Sequence, residues 1–463
     1  MSPVSNLVEV GKLVEYVVGE QILSHFLENN LIHPNHHGSL PNHSTSTALM
    51  QLTDMWIQAA ERKELSGVCM IDQSAAYDLL DHTIFLEKLQ IYNFNRCTID
   101  WIKSYLSERV QCVKIESKLS AYLQCETSGV PQGSVLAGIF HVINSNDLPA
   151  CHEDAVSVVY VDDDTDTVRS KDLTILINKL QNEVNRTVDW LGDNKMCVAG
   201  DKSKFMIVSS QKLRAAQQIE NCIISVDGSQ IGVSTSEKLL GVVVNSNLTW
   251  KDFLYGDGES SGLIGQLKQR VGILRKLSNF MQKDTLKLIA NGIFYSKLEY
   301  CLVVFGNVGG INGYNESSRM AGMTVQDCNR LQSLQNSVMR LLLGEQPGIA
   351  TNELLTRTKS LSVHQMIAYH TLISVRKILT SKQPSYLADR MPFSRHGREL
   401  RNCGGPFVTI PNYKLDVSRA GFIYRGSKLF NSLPRELREE ESIGKFKIQV
   451  KDWVKQSIPI RPR

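Results

Sequence analysis

The chain has 463 residues, 42% hydrophobic and 21% charged, with 51 Lys and Arg against 47 Asp and Glu for a formal net charge of +4. This composition excludes a disordered or collagen-like polymer and leaves room for two or three domains with sizeable cores. The mild positive excess permits a nucleic-acid partner without requiring one.

Ten cysteines, at positions 69, 97, 112, 125, 151, 197, 222, 301, 328 and 403, are scattered and show no Cys-x-x-Cys pair. That pattern suits reduced thiols inside a cell better than a disulfide framework or a zinc module. Five histidines fall between His25 and His43 with no cysteine among them, which favours a polar loop over a zinc cluster. The N-terminus carries no signal pattern and no apolar run approaches a membrane span, so a soluble intracellular protein is expected.

In chain order, Val10, Leu13, Val14, Val17 and Val18 recur at helical spacing, and a second amphipathic helix is expected over Glu20–Asn29. His37 to Leu49 reads as a polar loop entering a helix, with Ser44 as N-cap. Val68-Cys69-Met70-Ile71-Asp72 reads as a buried strand ending in a carboxylate. Helical patterns follow over Ile84–Leu89 and Thr98–Leu106, then a strand pattern over Val110–Ser117. Ser128-Gly129-Val130-Pro131-Gln132-Gly133 is either a simple turn before a helix over Ser134–Ile143 or backbone thin enough for a base and a nucleotide to approach, with Gln132 able to hydrogen-bond them.

Val156 to Val168 is an apolar run interrupted by Asp162, Asp163, Asp164 and Asp166. It predicts a hairpin, strands Ala155–Val161 and Thr165–Val168, with the acids at its tip. Crowded carboxylates raise one another's pKa unless a cation offsets them, so the tip is either a solvated turn or a metal site. Leu173, Leu176, Ile177, Leu180, Val184, Val188 and Leu191 form an apolar helical stripe expected beneath that sheet, ending at Gly192. A basic loop at Asp201-Lys202-Ser203-Lys204 joins a strand through Val208, and helices are expected over Leu263–Phe280 and Thr285–Leu298. Between 259 and 300, seven Lys and Arg face three acids, either a face that tracks a duplex or a solvated one. Val308–Gln326 is glycine-rich and polar and reads as a loop or linker.

Taken together, Asp72 with Ala76-Tyr77-Asp78, then Ser128 through Leu136, then Tyr160-Val161-Asp162-Asp163, resemble the palm motifs of reverse transcriptases, most closely those of non-LTR (LINE-type) retrotransposons. One Tyr-x-Asp-Asp alone is weak; three ordered motifs are specific. The resemblance implies an α+β right-hand polymerase: partial fingers at 1–65, a palm at 66–250 with an antiparallel sheet flanked by helices, a helical thumb at 251–307, a linker at 308–330 and a helical region at 331–463. That last region is matched more loosely, at Leu331–Leu343, Pro384–Leu387 and Asn431–Pro434.

It further implies an RNA-directed DNA polymerase that extends a DNA primer with dNTPs on an RNA template. Two Mg2+ ions, or Mn2+ in their place, would be the cofactors. Asp72, Asp162 and Asp163 would be the catalytic carboxylates and, with Gln73, the metal site. Tyr77, Gln132, Gly133 and Lys202 would meet the nucleotide, Tyr77 by clashing with a ribose 2′-hydroxyl, and Leu240-Gly241 within Glu237–Val242 would hold the primer. Lys202 reads equally as a solvated lysine. Nuclear action with no membrane partner is what the family implies.

The chain departs from the family pattern at Ser2, Ser39 and Leu40, where basic or aromatic residues are usual, and at Asp164, where threonine is usual and solvent exposure is expected. It begins where the fingers are already under way and contains no endonuclease, RNase H or cysteine-rich knuckle pattern, so it reads as N-terminally truncated. These departures motivate an alternative, a catalytically silent nucleic-acid-binding relic or domesticated protein; intact Asp72, Tyr77, Gln132, Asp162 and Asp163 argue against it.

Overall fold

Alternating β-branched and apolar residues drive the strands that carry the clustered acids in the computed structural model, which describes residues 5, 7–125, 127–258, 261–306, 323–394 and 406–461. Ser2, Cys403 and most of the expected linker lie outside the described residues. The chain divides into two compact units, one of Met1–Ser44, Ser66–Ile207 and Gln217–Val233, the other of Thr45–Leu65, Val208–Ala216 and Ser234–Arg463. The fold is α+β with an antiparallel-rich sheet.

In the first unit the strands are β1 (Leu65–Ser74), β2 (Arg109–Gln111), β3 (Lys114–Ile115), β4 (Lys118–Leu119), β5 (Leu123–Cys125), β6 (Val156–Tyr160), β7 (Asp163–Ser170), β8 (Cys197–Val198), β9 (Lys204–Val208), β10 (Ile223–Val226) and β11 (Ser229–Ser234). The main sheet has the order β10-β11-β9-β1-β7-β6, with β8 antiparallel to the end of β1. Beneath it lies the helix Leu173–Asp193, N-capped by Asp172, whose Leu176, Leu180, Val184 and Leu191 are fully buried. Gly67 lets that helix approach β1: a Cβ there would sit 3.2 Å from Leu176 Cγ and from Leu180 Cδ2. The apolar stripe therefore forms core, as its spacing predicts.

A second core joins Ile22, Phe26, Leu80, Phe85, Leu89, Ile102, Leu106, Leu136, Phe140 and Ile143. It is built by the helices Glu9–Glu28, His82–Ile91, Arg96–Leu106 and Val135–Ser145, the last three capped by Asp81, Asn95 and Ser134.

Four expectations change here. The two N-terminal helices are one, Glu9–Glu28, and Gly19 within it packs so closely that a Cβ would meet Ile139 Cδ1 at 2.8 Å. The strand expected over Val110–Ser117 is two short pieces, β2 and β3, interrupted at Cys112-Val113, and it ends early because Glu116 turns back with φ 54° into the hairpin with β4. The histidine segment is not a solvated loop; His36 and His37 are buried, and His36 Nε2 lies 3.0 Å from Ser145 Oγ. The acids are not all at the hairpin tip, a difference that shapes the site below.

The second unit is mainly helical, including Val325–Leu343, Val363–Ser381, Phe422–Asn431 and Ile443–Ser457. Buried Asp54, on the helix Thr45–Glu61, accepts hydrogen bonds from Arg390 Nε at 2.9 Å and Tyr386 Oη at 2.9 Å, holding that helix to the C-terminal ones. The helices expected over Leu263–Phe280 and Thr285–Leu298 end at Leu277 and divide at a π turn, Asn291–Tyr295. An 18-residue window within the 23 residues of Lys283–Phe305 has a mean hydropathy of 1.3, apolar enough to cross a membrane by length and composition alone. Its Leu286, Ala290, Phe294 and Leu298 form a stripe at every fourth residue that is turned into the core.

Candidate active site

The hairpin of β6 and β7 pairs Val159 with Asp164 and Tyr160 with Asp163, so only Val161 and Asp162 are left to make the turn. Val161 turns with φ 58°, a left-handed conformation that is sterically costly for a β-branched residue. Its surroundings hold it there. Val159 N donates to Asn35 O at 3.1 Å and His37 N donates to Val159 O at 2.8 Å, laying the Asn35–Gly38 segment along the outer edge of β6. Gly38 then abuts the turn, with space for no side chain: a Cβ would lie 2.5 Å from Val161 N.

Asp72 stands near the end of β1, the strand beside β7, and so meets the turn acids. Partial desolvation, then the charges of Asp162 and Asp72, raise the Asp163 carboxyl to about 6. Tyr77 joins this group: its phenol is pushed up by burial and by Asp162, and its ring lies 5.5 Å from that of His141. Gln73 does not join it through its side chain, because strand alternation puts it on the face opposite Asp72, where its amide is buried without a hydrogen-bond partner.

The glycine-containing loop is tethered to the segment that follows Asp72. Gly129 N donates to Leu80 O at 2.9 Å and Val130 N to Tyr77 O at 2.8 Å, and His82 Nε2 lies 2.9 Å from Gly129 O. Gly129 and Gly133 have φ of 89° and 105°, the turn geometry glycine supplies without strain. Gln132 is half-buried and Gly133 exposed. Behind them Glu15, an acid in an apolar helix that sequence reading passed over, accepts from Tyr105 Oη at 2.7 Å and Val135 N at 2.8 Å. Lys202 is exposed in a turn tied to Asp72, since Ala199 N donates to Asp72 O at 2.8 Å and Lys202 N donates to Ala199 O at 3.0 Å.

Asp164 departs from expectation: it is 1% exposed rather than facing solvent. Residues two apart on a strand share a face, so Asp164 and Asp166 both point from β7 into the interior. Ser157 Oγ donates to Asp164 Oδ1 at 2.5 Å, and Thr187 Oγ1 to Asp166 Oδ2 at 2.8 Å. Burial and mutual repulsion raise Asp164 to about 8; burial, then the charge of Glu183, raises Asp166 to about 7. With His152 these two bring ligand atoms within 4.8 Å of one another, a grouping that could hold a cation.

Leu240 and Gly241 belong to the second unit. They form the two-residue turn between Ser236–Leu239 and Val242–Asn245 with φ of 47° and 78°, and Tyr300 Oη donates to Leu240 O at 2.8 Å. Beside them is a cavity of about 580 Å³ lined by Lys238, Gly241, Arg270, Lys297 and Tyr300, among others. Burial, then the neighbouring Arg270 and Lys238, push Lys297 down, so three cations converge on that cavity.

Residues 2–244 match the family model described as "Reverse transcriptase (RNA-dependent DNA polymerase)". Among curated relatives, the probable RNA-directed DNA polymerase from transposon BS of Drosophila melanogaster is 25% identical over 414 residues, 87% of this chain and 42% of the relative. The RNA-directed DNA polymerase from mobile element jockey of Drosophila funebris is 24% identical over 306 residues, 64% of this chain and 32% of the relative. The chain thus spans less than half the length of the curated relatives it matches. An apo telomerase structure from Candida tropicalis aligns over 80% of this chain and 54% of its own at 13% identity and a TM-score of 0.40, too slight a likeness to carry weight. The family match covers half of the chain, in the part that holds the three ordered motifs, and the chain belongs to the reverse transcriptase family.

Proposed function

We propose that this chain is an RNA-directed DNA polymerase of the non-LTR retrotransposon type, which extends a DNA primer along an RNA template with dNTPs. The observation that carries this reading is the convergence of Asp72, Asp162 and Asp163 with Tyr77 against Asp162. The oxygen-only donor set and the raised Asp163 mark negative charge without a local counter-ion, which fits hard divalent cations. Two Mg2+ or Mn2+ ions held by Asp72, Asp162 and Asp163 would supply charge stabilisation to the attacking and leaving oxygens.

The chain's own residues then divide the remaining work. Tyr77 beside Asp162 sets a steric limit on the sugar and excludes a 2′-hydroxyl. Gln132 and the Gly133 backbone offer hydrogen bonds on a loop fixed to the Tyr77–Leu80 segment. Lys202, exposed on a turn fixed to Asp72, offers a cation to the triphosphate. In the second unit, the Leu240-Gly241 turn beside Lys238, Arg270 and Lys297 suits a primer strand, whose phosphates those cations attract.

Incorporation of dTTP on an oligo-dT-primed poly-A template, with Mg2+ or Mn2+ supplied and then withdrawn, tests this reading. Metal-dependent extension supports it, and its absence from folded, template-bound protein counts against it.

A further inference from the structure

We propose that His152, Asp164 and Asp166 form a buried structural site for a borderline transition metal ion, Zn2+ foremost, beneath the active-site hairpin and separate from the polymerase ions. This goes beyond the polymerase reading and does not depend on it.

Charge is the first argument. Asp164, Asp166 and Glu183 are all within 2% of full burial, and among them stands the imidazole of His152, fully buried as a side chain. Arg186 touches this group only from the side, at 3.8 Å from Glu183 and 2.8 Å from Glu153. Burying carboxylates against so little positive charge is costly unless protons or a metal neutralise them.

Two oxygens in this cluster lack hydrogen-bond donors. Asp164 Oδ2 is buried with none, and so is Asp166 Oδ1, although His152 Nε2 faces it at 3.2 Å. Two donors each about 2.1 Å from a tetrahedral zinc sit about 3.4 Å apart, close to the observed spacing. The other oxygen of each aspartate is occupied by Ser157 or Thr187, which leaves Oδ2 of Asp164 and Oδ1 of Asp166 facing inward.

The surroundings of His152 are those of a ligand. Its Nδ1 lies 3.0 Å from Glu183 Oε2, and Glu183 is itself fixed by Glu153 N and Asp154 N, both at 3.1 Å. A carboxylate that accepts Nδ1–H sets the tautomer whose Nε2 lone pair is free for a metal. A nitrogen with two carboxylates suits zinc, whereas all-oxygen sets suit magnesium. Cys69 and Cys151 sense the same negative field, each thiol being pushed up first by burial and then by Asp166 and Asp164.

The test is elemental analysis of the full chain after gel filtration without chelator, followed by Co2+ reconstitution of metal-stripped protein. The proposal expects one tightly held zinc per chain, its loss in His152→Gln, its retention in Asp72→Asn/Asp162→Asn, and the visible absorption of tetrahedral cobalt in the wild type. The cobalt spectrum keeps the test decisive if His152→Gln does not fold. Wild-type protein with neither retained zinc nor a cobalt spectrum would overturn the proposal and leave protons as the neutralising charge. Zinc kept in folded His152→Gln but lost in Asp72→Asn/Asp162→Asn would overturn it too, by assigning the ion to the polymerase site.

Discussion

Gly38 and Val161 approach so closely that a Cβ on Gly38 would lie 2.5 Å from the Val161 backbone nitrogen. Val161 holds a left-handed turn that presents Asp162, so the Gly38 backbone is a wall against which the turn is set. Gly38→Ala is expected to cost about 1–3 kcal/mol through overpacking. By shifting the turn it should lower extension by on the order of a hundredfold. Thermal melting and steady-state extension measure the two effects, and a variant with normal activity would show that the turn does not need this wall.

Tyr77 is the sugar-facing residue in the proposed site. Tyr77→Val should raise ribonucleotide use relative to deoxyribonucleotide use by roughly tenfold or more, as expected when a steric block is removed. Competition between UTP and dTTP on the same primer-template reads this directly; unchanged sugar selectivity would leave Tyr77 as a core residue only.

Glu15 joins the first helix to the loop that carries Gln132 by accepting from Tyr105 Oη and Val135 N. Glu15→Ala strands both donors and should cost about 1–3 kcal/mol. Because the unsatisfied amide opens the helix that follows Ser134, a weakened apparent affinity for dNTP should accompany the lower melting temperature. A drop in melting temperature with unchanged KM would confine Glu15 to stability.

Stability should fall with rising pH in metal-stripped protein. Asp163, Asp164 and Asp166 have folded pKa values of about 6, about 8 and about 7, all above the ordinary aspartate value of 3.8. Between those limits the folded state binds more protons than the unfolded one, so raising the pH from about 4 through about 8 removes stability. His33, His36, His43 and His141, whose pKa values burial lowers, oppose this below the ordinary histidine value of 6.5, so melting curves should slope downward above about pH 6.5, and Asp164→Asn should flatten that slope. A rise in stability over that range would contradict these assignments.

Much of this was legible in the sequence because local signals and global fold agree. The stripe from Leu173 to Leu191 and the helix after Ser134 follow from short-range physics. Asp72, Asp162, Asp163 and Tyr77 were recognisable through ordered motifs, and the structure draws them together. What escaped was decided by tertiary context. Asp164 resembles a solvated acid until the register with Val159 turns it inward. His152 and Glu183 gave no motif at all; the acids at 164 and 166, two apart on β7, were the available hint that a second carboxylate pair faced the interior.

The most direct measurement of the central claim compares the wild-type chain with Asp162→Asn/Asp163→Asn in primer extension on poly-A with dTTP and Mg2+. The account predicts extension by the wild type and none by the double variant, with template binding and melting temperature largely retained. Extension that survives the double substitution would contradict it, because Asp72 alone would then have to gather both metal ions.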